Sequence, residues 1–109
     1  MKHVGTKLAI ALLMTMTLIP LLCEADEHLI VEKDIKFKPI IKVVKPGDIV
    51  TFKNDDNITH NIVSLTKDFE FDLGKFKPGM KKSVQFKQKG VVDVQCTIHP
   101  EMKMTIFVF

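Results

Sequence analysis

Pro46-Gly47-Asp48-Ile49-Val50-Thr51-Phe52-Lys53-Asn54-Asp55-Asp56-Asn57 is the stretch that decides the fold. Pro-Gly punctuates the chain with a turn. From Asp48 to Lys53 polar and apolar residues alternate, the period of a strand with one wet face. Asn54 to Asn57 is a second turn cluster. A short strand between two turns is the grammar of an all-β domain, and it repeats outward in both directions.

Upstream lie Leu29 to Glu32, then Ile35-Lys36-Phe37 ending at Pro39, then Ile40-Ile41-Lys42-Val43-Val44. Downstream, His60-Asn61-Ile62-Val63 reads as the next strand. Ser64 to Lys77 is the least regular stretch. Its Phe69, Phe71, Leu73 and Phe76 surround Gly74, and it is expected to pack across an edge of a sandwich. Pro78-Gly79 turns the chain into Lys81 to Phe86, with Val84 and Phe86 facing in. After the Lys87-Gln88-Lys89-Gly90 turn, Val91 to Gln95 runs into Cys96, and Met104 to Phe109 closes the chain. No helix-length amphipathic pattern follows Ala25. About seven to eight short strands with regular turns predict a sandwich or barrel.

The first 25 residues read differently. Lys2 and Lys7 precede an apolar run from Leu8 to Leu22, and Ala25 offers a small residue for cleavage. That layout predicts a secretory signal peptide over residues 1–25 and a folded domain over 26–109. The apolar run is short for the ~20 residues that span a bilayer. No stable membrane insertion is therefore expected after cleavage, and the domain is expected in the periplasm.

The 84 residues from Asp26 on carry 14 Lys and 12 acids, a net charge of +2, with no Arg, Trp or Tyr. So small an excess, without Arg for bidentate base contacts, argues against nucleic acid. Cys23 leaves with the signal, so the exported domain keeps Cys96 alone. No internal disulfide is then possible, and a lone thiol in an oxidising compartment calls for an occupant. A metal bond supplies one, and also a staple for a small domain.

Cys96-Thr97-Ile98-His99-Pro100-Glu101-Met102 places three soft or borderline ligands within seven residues. His60 waits on an earlier strand. Taken singly, each of these residues would be an ordinary core or surface residue. Together, a thiolate, two imidazoles and a thioether suit copper that cycles between two oxidation states, the donor set of a blue-copper electron-transfer site. The two-residue spacing of Cys96 and His99 lets a tight turn bring both side chains to one ion. No base, nucleophile or open coordination position is visible, so no enzyme is expected.

Phe37-Lys38-Pro39, the Pro46 to Asn54 stretch, His60-Asn61 and the Cys96 to Met102 loop together resemble the cupredoxins, and within them the plastocyanin and amicyanin type. The resemblance covers essentially the whole exported chain. It implies an all-β, Greek-key β-sandwich with one type 1 copper per chain, held at one end between loops. It implies His60, Cys96 and His99 as principal ligands, Met102 as the long axial thioether, and Asn61 as the residue that bonds across to the ligand loop.

Met104 competes for the axial place. It has the spacing of plastocyanins proper, whereas Met102 has that of the shorter amicyanin-like loop. The string His99-Pro100-Glu101-Met102-Lys103 favours Met102, and choosing Met104 would leave only Thr105 to Phe109 for the last strand. Ile98 stands where relatives often carry Pro, and Met104 where the amicyanin pattern has Gly.

The expected function is a monomeric periplasmic carrier of single electrons. It would meet its redox partners through an apolar patch around His99 that takes in Pro100 and Ile58, with Lys103 at the rim. The alternative is a copper chaperone or copper-handling protein, kept open by Met80, Met102 and Met104. A second metal site is conceivable at the mature amino terminus, Asp26-Glu27-His28, as a square-planar nitrogen chelate.

Overall fold

The computed structural model describes residues 13–15 and 24–109. The signal peptide expected over residues 1–25 falls largely outside the described residues. Every regular element among them is a strand. In chain order these are β1 (Glu27–Lys33), β2 (Lys36–Lys38), β3 (Ile41–Val44), β4 (Ile49–Asn54) and β5 (His60–Ser64). There follow β6 (Phe71–Phe76), β7 (Lys81–Gln85), β8 (Gly90–Gln95) and β9 (Lys103–Val108).

The strands form two sheets, β2-β1-β4-β7 and β3-β9-β8-β5-β6. β1 pairs with β2, β5 with β6 and β8 with β9 as antiparallel neighbours in sequence. β1 and β4 run parallel, as do β3 and β9. Parallel neighbours need long crossovers, and these pass from one sheet to the other. The result is a two-sheet sandwich, one of the two forms the alternation and turns imply, with the Greek-key topology that the resemblance implies.

The two Pro-Gly turns close as their residues demand. Gly47 and Gly79 take φ of 94° and 84°. Asp48 N–H donates to Lys45 O and Met80 N–H to Lys77 O, each at 3.0 Å. Proline sets the first central position of such a turn and glycine tolerates the left-handed second. Period-2 alternation then aims one face inward. Ile30, Phe37, Val50 and Phe52 meet Ile62, Phe76, Val92, Val94 and Ile106 in the core. Phe37 and Phe52 pack edge to face with centroids 6.5 Å apart. Burying side chains of this size is worth roughly 1.5–3 kcal/mol each.

The irregular stretch from Ser64 to Lys77 holds a ninth strand, one more than the alternation reveals. β6 lies at the edge of the five-stranded sheet, where a packing role was expected. Its register against β5 shifts between Asn61 and Val63. Gly74 sits at φ 71° with its N–H on the Asp72 side chain. This bulge moves the inward position from Leu73 to Phe76, an odd step that hides the period-2 signal.

Candidate metal centre

The strands carry the predicted ligands to one end of the sandwich. His60 opens β5, and Cys96 follows the last residue of β8. The ligand loop then closes on itself: Met102 N–H donates to His99 O at 2.9 Å, and Cys96 N–H donates to Met102 O at 3.0 Å. These two bonds prolong the β8–β9 ladder to the base of the loop and fix how far its side chains can spread.

His60, Cys96 and His99 come together, with one ligand atom from each lying within 4.8 Å of the others. Cys96 Sγ is 3.9 Å from His60 Nδ1 and 3.7 Å from His99 Nδ1, and the two Nδ1 atoms stand 3.1 Å apart. Ordinary bonds of roughly 2.0 Å to imidazole nitrogen and 2.3 Å to thiolate bring all three donors onto one ion. The residues therefore fit a metal of copper's preference. Cys96 and His60 are fully buried, whereas His99 is half-buried.

Each donor is held by a neighbour. Asp56 Oδ2 meets His60 Nε2 at 2.7 Å, a contact that fixes the ring with Nδ1 turned toward Cys96. Cys96 Sγ accepts the Asn61 N–H at 3.4 Å. Asn61 also bridges to the loop, accepting the Thr97 N–H on Oδ1 at 2.7 Å and donating from Nδ2 to Thr97 Oγ1. This is the cross-link expected of Asn61.

Asp56 and Glu32 escaped sequence reasoning. Burial pushes the Asp56 carboxyl up, but the bonds from His60 and from the Ile35 and Asp34 amides outweigh it, and it lies below its usual range. Those two amides reach Asp56 at 3.0 and 2.7 Å from a hairpin tip whose residues both have positive φ. A β-branched residue such as Ile35 rarely adopts that conformation, so the Asp56 carboxylate anchors a strained tip. Glu32 is fully buried, with no hydrogen-bond partner on either oxygen. Burial, and then the charge of Asp56, push its carboxyl up to about 8. A signal for Glu32 existed: in β1 it shares the inward face of Ile30. Asp56 gave none, because a loop aspartate four residues before a histidine looks like any turn residue.

The two methionines near the loop occupy different places. Met102 is buried inside the ligand loop. Met104 is buried on β9 opposite Val94, in line with Ile106 and Val108. Met80 lies earlier in the chain, just after the Pro78-Gly79 turn, its sulfur accepting the Lys77 N–H at 3.2 Å. At the amino-terminal end, Asp26 N–H and His28 Nε2 are both taken by the Asp48 carboxylate, at 3.1 and 2.9 Å. With Lys45 N–H as the largest contributor, these bonds hold Asp48 down at about 2. A nitrogen chelate there would have to strip β1 from β4 and His28 from Asp48.

The model of copper-binding proteins of the plastocyanin/azurin family matches residues 26–109. The chain belongs to that family: it is a cupredoxin. The cupredoxin is 31% identical over 87 residues to the methylamine utilization protein MauL of Methylophilus methylotrophus, covering 77% of this chain and 50% of that protein. It thus spans half the length of that relative. A MauL of Methylorubrum extorquens is 29% identical over 98 residues, covering 89% of this chain and 86% of that one. A reduced amicyanin variant superposes with a TM-score of 0.70 at 27% identity, covering 76% of this chain and 82% of that one. Copper is thus the cofactor of the family.

Proposed function

We propose that this cupredoxin carries single electrons between redox proteins in the periplasm. One copper would be held by His60, Cys96 and His99 with Met102 as a weak axial fourth. The observation that carries this reading is the convergence of two imidazole nitrogens and one cysteine sulfur at the end of the sandwich, with one imidazole half-exposed. Bound copper supplies a one-electron couple there. The chain holds the donors in place through both states: Asp56 pins the His60 ring, Asn61 ties the loop to β5, and the loop's own bonds limit its spread. Little rearrangement accompanies electron transfer at such a site.

Electrons would enter and leave at the His99 edge; Ile98 and Pro100 beside it in the chain, and Ile58 two residues before His60, are exposed side chains. A small, weak interface suits a carrier that must release its partner. Relatives named for methylamine utilization make an amine-oxidising donor the first to test. Export would follow from removal of residues 1–25. The alternative role in copper handling is disfavoured by the burial of Met102 and Met104 and by the engagement of Met80 with Lys77.

The test is absorption and voltammetry of the copper-loaded domain. An intense thiolate-to-copper band and a reversible one-electron wave are expected, and Cys96→Ser should abolish the band. Colourless copper(I) binding without a reversible wave would favour the handling role instead.

A further inference from the structure

We propose that the redox partner meets this cupredoxin with a carboxylate-rich surface, drawn to a pole of lysines built around the metal end of the sandwich. The inference rests on the reading that electrons cross at His99, and it adds the chemistry of the partner.

Strand direction places the charges. β1 and β4 run parallel and finish together, Glu32 beside Asn54. The Asn54 side chain bonds the carbonyl of Phe76, which is the residue opposite His60. The ends of β1 and β4 therefore lie at the metal end. There Lys33 faces Lys36 across β1 and β2, and Lys53 faces Lys81 across β4 and β7. In the other sheet Lys75 stands opposite Asn61, and Lys103 opposite Gln95. All six are exposed or half-exposed.

Like charges directly opposite one another destabilise a sheet. Asp55 engages one lysine of each pair, taking Lys33 Nζ on its carbonyl at 3.2 Å and Lys53 Nζ on its carboxylate at 3.1 Å, so folding accounts for those two but not for Lys36 and Lys81. The exposed acids of this end cancel only part of that charge. Asp34 is bridged to Lys38 and Asp55 to Lys53, each at 3.1 Å, and Glu101 lies on the ligand loop. At the far end Asp26, Glu27, Asp68 and Glu70 balance Lys45, Lys67, Lys87 and Lys89. The small net charge of the domain is thus concentrated around the electron-transfer edge. Such a pole steers an anionic partner and orients the encounter, and salt screens it over ~10 Å at 0.1 M.

Stopped-flow oxidation of the copper(I) protein tests this. With hexacyanoferrate(III), each encounter moves one electron from copper(I) to iron(III), leaving copper(II) and iron(II). The rate should fall as ionic strength rises, whereas a cationic cobalt(III) tris-phenanthroline oxidant should show the opposite slope. Lys36→Gln with Lys81→Gln, one lysine from each facing pair, should slow the anionic reaction roughly three- to ten-fold at low salt. It should also flatten its salt dependence while leaving the visible band and potential unchanged. Lys87→Gln with Lys89→Gln at the far end should do neither. An intact band with equal salt slopes for both oxidants, or equal effects at the two ends, overturns the lysine pole. A parent protein without the band overturns the copper reading beneath it.

Discussion

Asp56 and His60, four residues apart, meet through Oδ2 and Nε2 at 2.7 Å beneath the metal centre. The same carboxylate takes the amides of Asp34 and Ile35, so one side chain joins the β1–β2 hairpin tip to the proposed copper ligand His60. Asp56→Ala should free the His60 ring and release the strained tip. Loss of such an outer partner typically lowers metal affinity about 10–100-fold. Competition with a copper chelator measures it, and an unchanged affinity would show that packing alone orients His60.

The Asn61 bridge has a separate consequence. Asn61→Ala removes both side-chain bonds to Thr97 but leaves the Asn61 N–H on Cys96 Sγ. The cost should be about 1–2 kcal/mol in stability, because the bridge is partly exposed. Faster copper loss should accompany it, as the loop gains freedom relative to β5. Chemical denaturation and chelator-driven release kinetics check the two effects.

Glu32 predicts a pH dependence. Its carboxyl is held at about 8 in the fold against 4.5 when free. Between these values the folded chain holds a proton that the unfolded chain has lost. Stability from this group therefore falls as pH rises from about 4.5 to about 8 and levels off beyond, by up to about 1.4 kcal/mol per pH unit within the window. Glu32→Gln should flatten that slope. Denaturant titrations of both proteins at pH 5, 6.5 and 8 compare the slopes directly, and parallel curves would mean that Glu32 finds solvent or a partner when it ionises.

The sequence made the sandwich legible wherever alternation was unbroken and turns carried Pro-Gly. Asp48 to Lys53 and Val91 to Gln95 match β4 and β8 to within a residue. Legibility failed at β6, where the bulge at Gly74 changes the inward parity, and a periodicity argument cannot see a shift that the neighbouring strand absorbs. At the site, the expected trio of His60, Cys96 and His99 is brought together, because donor chemistry and loop spacing are local facts. Asp56 and the hairpin tip were not legible. Their contact joins segments more than twenty residues apart, and nothing in either segment announces the other.

The place of the two methionines yields a last contrast. Met102 lies within the closed ligand loop, its N–H on His99 O and its carbonyl on the Cys96 N–H. Met104 lies one step into β9, opposite Val94 and among the core residues. If Met102 is the axial donor, Met102→Leu should raise the potential and change the visible spectrum, since a weak axial thioether tunes both. Met104→Leu, which keeps volume in a core position, should cost less than about 1.5 kcal/mol and leave potential and spectrum alone. Voltammetry and absorption of the two variants side by side decide between the residues. The reverse pattern would assign the axial role to Met104 and require β9 to begin later in the copper-loaded protein.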